Sequence, residues 1–466
     1  MKNDSPASSS NSKLANDIND ILASTTPYKP SIEIELKLHT VDKDLSNADG
    51  VSLLDILQIR DYENNICDYT EIKLLVSLGT YNYDIYPNLS NIEITLIYYD
   101  QVYEGSKPAK VVERYKGVYL KDLNQKIPTM LNASRDDLNQ QSPISLTLQL
   151  IDRSAEVLRV KTVSGNFEPS INGGRRADIF LRSLISAQCT KAMVENKPAI
   201  EAIEVEKSDN VEDLPSVTLP SMTRVIDVPG YLQNRCTGVY TAGIGAYIQS
   251  YNGKKTFFVY SLYNAKKYDA QDYKTIFYAP LDSGLVRADK TFLYRDKTLK
   301  VIVEPVSKLL DSRETDLMST GSGFRVSNAR SMMKKPIEMT EDGPKIARAQ
   351  LNTEVSIKDR SDGLNYAPAS SQRASSNLFK RTAEIIKAGG AYIELKWYNS
   401  NTRYIYPGQA CKIVTEDRNN QLKELYGVIL SIHTSIHDET NSPVLKYAKS
   451  TNYSLISSVK IFISNF

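Results

Sequence analysis

Histidine is nearly missing from this chain, with three among 466 residues. That scarcity excludes most His-rich metal chemistry and leaves few candidates for an imidazole general base. Net charge is also missing: 57 Lys and Arg stand against 55 Asp and Glu, a formal +2. A chain so balanced exerts no global pull on nucleic acid or an anionic membrane, so any such binding needs a local patch. There are only four cysteines, Cys67, Cys189, Cys236 and Cys411, and no two have CxxC spacing. Cysteines so sparse do not make a disulfide framework; they read as reduced, semi-buried thiols of a protein made in a cytoplasm. The sequence has no apolar run of the ~18 residues that would suggest a span, so no membrane insertion is expected. The opening MKNDSPASSSNSK has an acid at Asp4 and no apolar core, unlike a signal peptide.

Tyrosine is abundant, 29 residues against 10 Phe and 1 Trp. An apolar ring with a polar tip suits half-exposed strands and contact surfaces. The length suggests about three domains. Residues 1–30 form a Ser/Asn-rich arm carrying a short amphipathic helix, with Leu14, Ile18, Ile21 and Leu22 on one face, Ser12 as N-cap and Pro27 as stop. Two readings of that face stay open: packing on the chain's own core, or docking on a neighbouring subunit.

From residue 31 the period changes to two. Ile32, Ile34, Leu36 and Leu38 alternate with polar residues, as do Ile92, Ile94, Leu96 and Tyr98, and again Ile144, Leu146, Leu148 and Leu150. Residues 31–165 therefore predict a mostly antiparallel β domain. Residues 166–310 predict a middle α+β region. It has a helix over 175–190 burying Ile179, Phe180, Leu184 and Ile185, an acidic loop or linker over 193–220, a helix near 227–236, and strands at 255–263 and 299–303. Residues 311–375 lose periodicity and read as an extended polar linker or insertion. Residues 376–466 predict a helix followed by strands near 391–397, 409–414, 425–436 and 446–455. The fold class is thus α+β, mainly antiparallel β, with two β domains flanking a helical/α+β insert region.

The motifs that would carry chemistry are weak. His433 and His437 alternate along a predicted strand, where four residues at about 3.3 Å each set them roughly 13 Å apart, too far for one metal. Gly243-Ile244-Gly245 lacks the third glycine and the strand–helix context of a dinucleotide loop. Lys334-Lys335 is too short for a nucleic-acid stripe, and no GxSxG occurs. No catalytic residue, cofactor or metal is expected, and the chain reads as a non-enzyme.

The C-terminal pattern is more informative. A helix leads to Gly389-Gly390 and the strand AYIELKW, then Tyr406-Pro407-Gly408-Gln409 and the strand ACKIVTED. A charged turn and Val428-Ile429-Leu430-Ser431-Ile432-His433 follow. This resembles the second tube-like domain of central baseplate hub proteins of contractile-tailed bacteriophages, the T-even-type hub family. The motif positions are Pro407, Gly408, Gly427 and His433. Leu219–Asn264 resembles the family's insert-domain segment, and the N-terminal β domain its first tube-like domain.

The resemblance implies a virion protein of the tail baseplate, a homotrimer joining a sixfold tail tube to a threefold central spike and seeding tube assembly. Its partners would be the central spike protein, tail tube or tube-initiator proteins, and baseplate wedge proteins, with DNA passing through the lumen without sequence-specific binding. A hub-like protein with peptidoglycan hydrolase activity, and the hub of a phage-derived contractile injection machine, are the alternatives. The departures from the family pattern are the longer N-terminal arm and the polar stretch 311–375.

Overall fold

The computed structural model describes residues 7–23, 31–38, 43–45, 51–89, 92–100, 109–119, 134–139, 143–168, 176–194, 196–211, 214, 216–280, 285–287, 290–310, 325–328, 353–356, 378–388, 390–416, 422–438 and 453–464. Helix α1 (Ala7–Ala23) comes first. Seven strands then build an N-terminal unit: β1 (Ser31–Leu38), β2 (Lys43–Leu45), β3 (Val51–Asp61), β4 (Tyr69–Val76), β5 (Ile92–Asp100), β6 (Ala109–Tyr119) and β7 (Ile144–Asp152). They pair antiparallel in the order β3-β4-β7-β6-β5-β1-β2. Alternation sends Ile32, Ile34, Ile72, Ile94 and Leu146 into one core, and β1 comes back against β3, so the sheet curls around them. Between β4 and β5, Ser77 caps a single turn, α2 (Leu78–Thr80), which continues into a π-helical turn. Asp84 of that turn pairs with Arg135 of α3 (Arg135–Asn139) at 2.6 Å.

The middle unit starts where Asp152 caps α4 (Arg153–Val160), its carboxylate accepting from the Ala155 N–H at 2.9 Å. It continues through β8 (Thr162–Phe167), α5 (Ala177–Cys189), the short pair β9 (Met193–Val194) and β10 (Lys197–Pro198), β11 (Ala202–Val205) and β12 (Val217–Arg224). Helix α6 (Val228–Arg235) and the hairpin β13 (Ile244–Tyr251)–β14 (Lys254–Ser261) complete it. Asn252 and Gly253 both have positive φ, the two-residue turn that matches strand twist.

Two expectations fail here. Ile179 is 42% exposed, and Leu181 is buried instead, because the buried ladder Ala177, Phe180, Leu181, Leu184 starts one turn earlier. The segment 193–220 is no plain linker: β11 pairs parallel with β14, and β12 pairs with β8 across a bulge.

The C-terminal unit contains β15 (Lys274–Ala279), β16 (Phe292–Arg295), β17 (Thr298–Ile302) and β18 (Glu304–Leu310). It continues after the small antiparallel pair β19 (Arg325–Asn328) and β20 (Thr353–Ser356) with α7 (Leu378–Ala388), β21 (Gly390–Tyr398), β22 (Ala410–Glu416), β23 (Leu422–Asp438) and β24 (Tyr453–Ser464). The residues of β15 to β18 were expected in the middle region, with a strand only at 299–303; β15 pairs parallel with β22 and β18 antiparallel with β21, which places all four in this sheet. Because β17 and β18 are nearly one strand interrupted at Val303, the path β17-β15-β22-β23-β24-β21-β18 returns to the strand it left. The last strand was expected at 446–455 and begins at Tyr453; its earlier part, like most of 311–375, lies outside the described residues.

Helix α1 lies on this unit. Leu14, Ile18 and Ile21 are buried with Tyr278, Val286, Ile302 and Val414, and Leu22 packs beside them. Asp17 fixes the helix from its polar side, accepting from Lys300 Nζ at 2.6 Å and the Tyr278 hydroxyl at 3.0 Å. The face that might have docked on a neighbouring subunit is thus covered by the chain's own sheet.

Candidate functional site

The two β units meet along a single strand. The first part of β23 pairs with β22, whereas Ser431–His437 pairs antiparallel with Asp61–Asp55 of β3, and β24 runs along the opposite edge. One hydrogen-bonded sheet therefore crosses from one unit into the other. Register carries one polar face across that joint, since residues directly opposite point to the same side. Lys396, Ser458, His433, Ile59 and Tyr69 form one row, and Ser454, His437, Asp55, Lys73 and Thr147 another.

Several charges on this face sit opposite their complements, whereas Glu35 faces Thr95 and Glu71 faces Leu57 and Gln149. Lys37 faces Glu93, which faces Lys116; Asp55 lies between Lys73 and His437; Lys460 faces Glu394; and Lys396 faces Glu304. His437 Nδ1 and Asp55 Oδ1 are 2.7 Å apart, directly across the joint. At one end α4 abuts the face, with Arg153 3.3 Å from Glu93 and Lys116 3.6 Å from Glu156. Where charges are neutralised pair by pair, a surface presents less net field to a passing polyanion.

Behind the joint, a buried polar network ties all three units. Arg60 donates to Asp68 Oδ2 at 3.2 Å, and to the carbonyl and hydroxyl of Thr402 at 3.0 and 3.1 Å. Asp68 also accepts from Gln58 at 2.6 Å and from the Tyr247 hydroxyl at 2.8 Å. The Tyr62 hydroxyl donates to Gln249, whose amide donates to the Ile405 carbonyl at 2.8 Å. Burial opposes the Arg60 charge most strongly, but Asp68 together with Tyr62, Tyr247 and Glu113 outweighs it and holds the guanidinium above its ordinary value. Burial, with Asp68 adding to it, pushes the Tyr247 hydroxyl far up.

Sequence reasoning missed this network. Arg60, Asp68, Tyr247 and Thr402 lie up to 342 residues apart. The available signal, alternation in β3, misleads: Leu57 and Ile59 are the apolar phase, yet Gln58 and Arg60 are the buried one.

The family-motif positions have packing roles. Tyr406-Pro407-Gly408-Gln409 is a type II turn, with Gly408 at φ +72° and the Gln409 N–H donating to the Tyr406 carbonyl at 3.3 Å. A Cβ at Gly408 would lie 2.1 Å from the Tyr260 ring. At Gly427 it would lie 2.5 Å from Ile461 and 2.6 Å from the Phe462 carbonyl oxygen. Pro407 is buried, and His433 is exposed on the polar face, level with Ser458 and Ile59. Tyr426, 40% exposed, packs its ring on Tyr268 at 5.3 Å beside Val428, and a bulge between Ile429 and Ser431 breaks the alternation beyond them.

Among the described residues no group of three or more His, Cys, Asp or Glu is placed to hold a metal. Burial pushes the Cys67 thiol up to about 12, with Asp152 adding to it, and burial raises Cys189 to about 11, so neither is poised as a nucleophile. No described helix is long and apolar enough to cross a membrane.

No family model and no curated protein sequence matches the chain. Among solved structures it is similar to the tail protein from Neisseria meningitidis MC58, at 10% identity and TM-score 0.43 over 94% of this chain and 97% of that one. It is similar to the 43 kDa tail protein of prophage MuSo2 from Shewanella oneidensis, at 11% identity and TM-score 0.46 over 92% and 98%. It is also similar to a chain of the Francisella PdpA–VgrG complex, at 11% identity and TM-score 0.43 over 98% of this chain and 55% of that one.

Proposed function

We propose that this chain is the structural hub of a contractile phage tail: a non-enzymatic homotrimer of the baseplate that joins a sixfold tail tube to a threefold spike and seeds tube assembly. The observation that carries the reading is the single sheet linking two β units, with one polar face, many of its charges paired across strands, running through the joint. Three copies of a chain with two such units present six on one side and three subunits on the other, which resolves the symmetry mismatch. The shared polar face would line the lumen, and its laterally paired charges would let DNA pass without holding it. The sequence resemblance around Pro407, Gly408, Gly427 and His433 supports the same assignment. Central spike protein, tube or tube-initiator proteins and wedge proteins would be its neighbours.

Light scattering on the purified full chain, alone and mixed with tube and spike proteins of the same tail, tests this. The expected mass is three times 52.3 kDa. A chain that stays monomeric and associates with neither partner overturns the reading. As a check on the lumen, the double change Glu93→Lys and Glu394→Lys should create salt-sensitive DNA binding that the unaltered protein lacks.

A further inference from the structure

An open cleft of about 430 Å³ lies between the β3–β4 turn, the start of α6 and strand β13. That volume falls within the range of ordinary ligand sites, and the cleft lies where two units meet. Its floor is an unusual one: a sheet edge. Strand β13 pairs along its length with β14, and among the described residues its other edge is met only at Ile248. The Gly243 carbonyl accepts from the Leu262 N–H on the β14 side, whereas the Ile248 N–H points the other way and donates to the Ile66 carbonyl at 2.7 Å. Alternation therefore turns the N–H and C=O groups of Ile244 and Ala246 outward as well. Both residues line the cleft, and no described residue bonds to their outward groups. The chain already uses one position of this edge, the parallel bridge Cys67–Ile248. Just before it the turn through Glu63 and Asn65 veers away and leaves the next positions open.

We propose that this cleft is a strand-addition site. It takes an extended peptide segment of a partner protein, hydrogen-bonded to the outward groups of Ile244 and Ala246, with an apolar side chain seated on Ile66, Ile226 and Pro229. Backbone groups waiting at an edge give such a site its affinity, and the pocket for alternate side chains gives its selectivity. The walls on both sides admit a few residues of extended chain rather than the flank of a folded sheet. At the rim Glu63 is already paired with Lys387 and Asp227 with Arg224, so the occupant is recognised by its backbone and one apolar side chain rather than by charge. The inference stands apart from the hub reading and does not require a trimer.

Residue-resolved amide exchange on the full chain is the test. The probe is a short capped peptide of alternating threonine and valine with a lysine at each end; the control has alternate backbone nitrogens methylated. Saturating peptide should slow exchange at Ile244 and Ala246 by about tenfold or more, leaving Gly245 and Tyr247, bonded to β14, unchanged. Gly230→Trp should abolish that slowing while Gly245 and Tyr247 stay protected. Gly230 lines the cleft and a Cβ there meets nothing within 4 Å, so a side chain can grow from that position into the open space. Ala246→Pro, which removes one outward donor from an edge that tolerates proline, should weaken it. No slowing, equal slowing with the methylated control, or slowing that survives Gly230→Trp would overturn the proposal. Protection that appears without peptide and rises with protein concentration would also overturn it, in favour of a second copy as occupant.

Discussion

The N-terminal unit is filled by aliphatic side chains that alternate along their strands, such as Ile34, Leu36, Ile94 and Leu148. The C-terminal unit and the hairpin against it are filled by rings, and glycines let the backbone come down on them. A Cβ at Gly390 would lie 1.9 Å from Phe462, and one at Gly408 2.1 Å from Tyr260. In the first unit a Cβ at Gly117 would lie 2.7 Å from Ile94 Cδ1, the free end of a flexible side chain. Aliphatic cores gather from many interchangeable contacts and give locally when disturbed. Ring-on-glycine packing fixes the backbone at chosen points and leaves no slack there. A unit whose shape must be held can rely on the second device.

The sharpest way to break the comparison is to cut the link between the units. Arg60→Met leaves Asp68 buried without its cation, and the loss should be about 3–5 kcal/mol by urea unfolding. Loss of cooperativity in the same melt would show that the units then unfold separately. Gly408→Ala combines a positive φ with contact against the Tyr260 ring and should cost roughly 2–4 kcal/mol.

Next come the buried tyrosines. Tyr98 and Tyr115 are held above their ordinary value, by burial first and then by Glu113. Above about pH 10 the unfolded chain loses these protons and the folded chain keeps them, so stability falls as pH rises past that point. Tyr98→Phe should shallow that decline by about 1.4 kcal/mol per pH unit, measured as urea midpoints across the alkaline range, and change nothing below it. Gly117→Ala should be the mildest, under about 1 kcal/mol, because Ile94 can turn aside. A larger loss there than at Gly408 would reverse the contrast drawn between the units.

Legibility followed the same divide. Strands β1, β5 and β7 show in the sequence because one face of each is aliphatic and the other polar. The four C-terminal strands show less cleanly: β23 changes phase at its bulge, and β24 runs on to Ser464, past the expected end at Leu455. β3 hides its role entirely, since its outward face carries Leu57 and Ile59 and its inward face Gln58 and Arg60. β15 to β18 sit next to the middle unit in sequence and belong to the C-terminal sheet, a partition decided by the distant pairing of β15 with β22 and of β18 with β21. The polar face was legible only as scattered alternation. Its charge pairing is a matter of register between strands, which no single strand records.

The joint between β3 and β23 also sets a clock. Asp55 lies opposite His437, a separation of 382 residues. At ordinary synthesis rates of roughly 5–20 residues per second, β3 leaves the ribosome about 20–75 s before its partner exists. Throughout that interval the first unit can curl up and bury its aliphatic core, yet one edge stays open to any other strand in reach. The nascent chain therefore needs either shelter or low local concentration until its last hundred residues arrive.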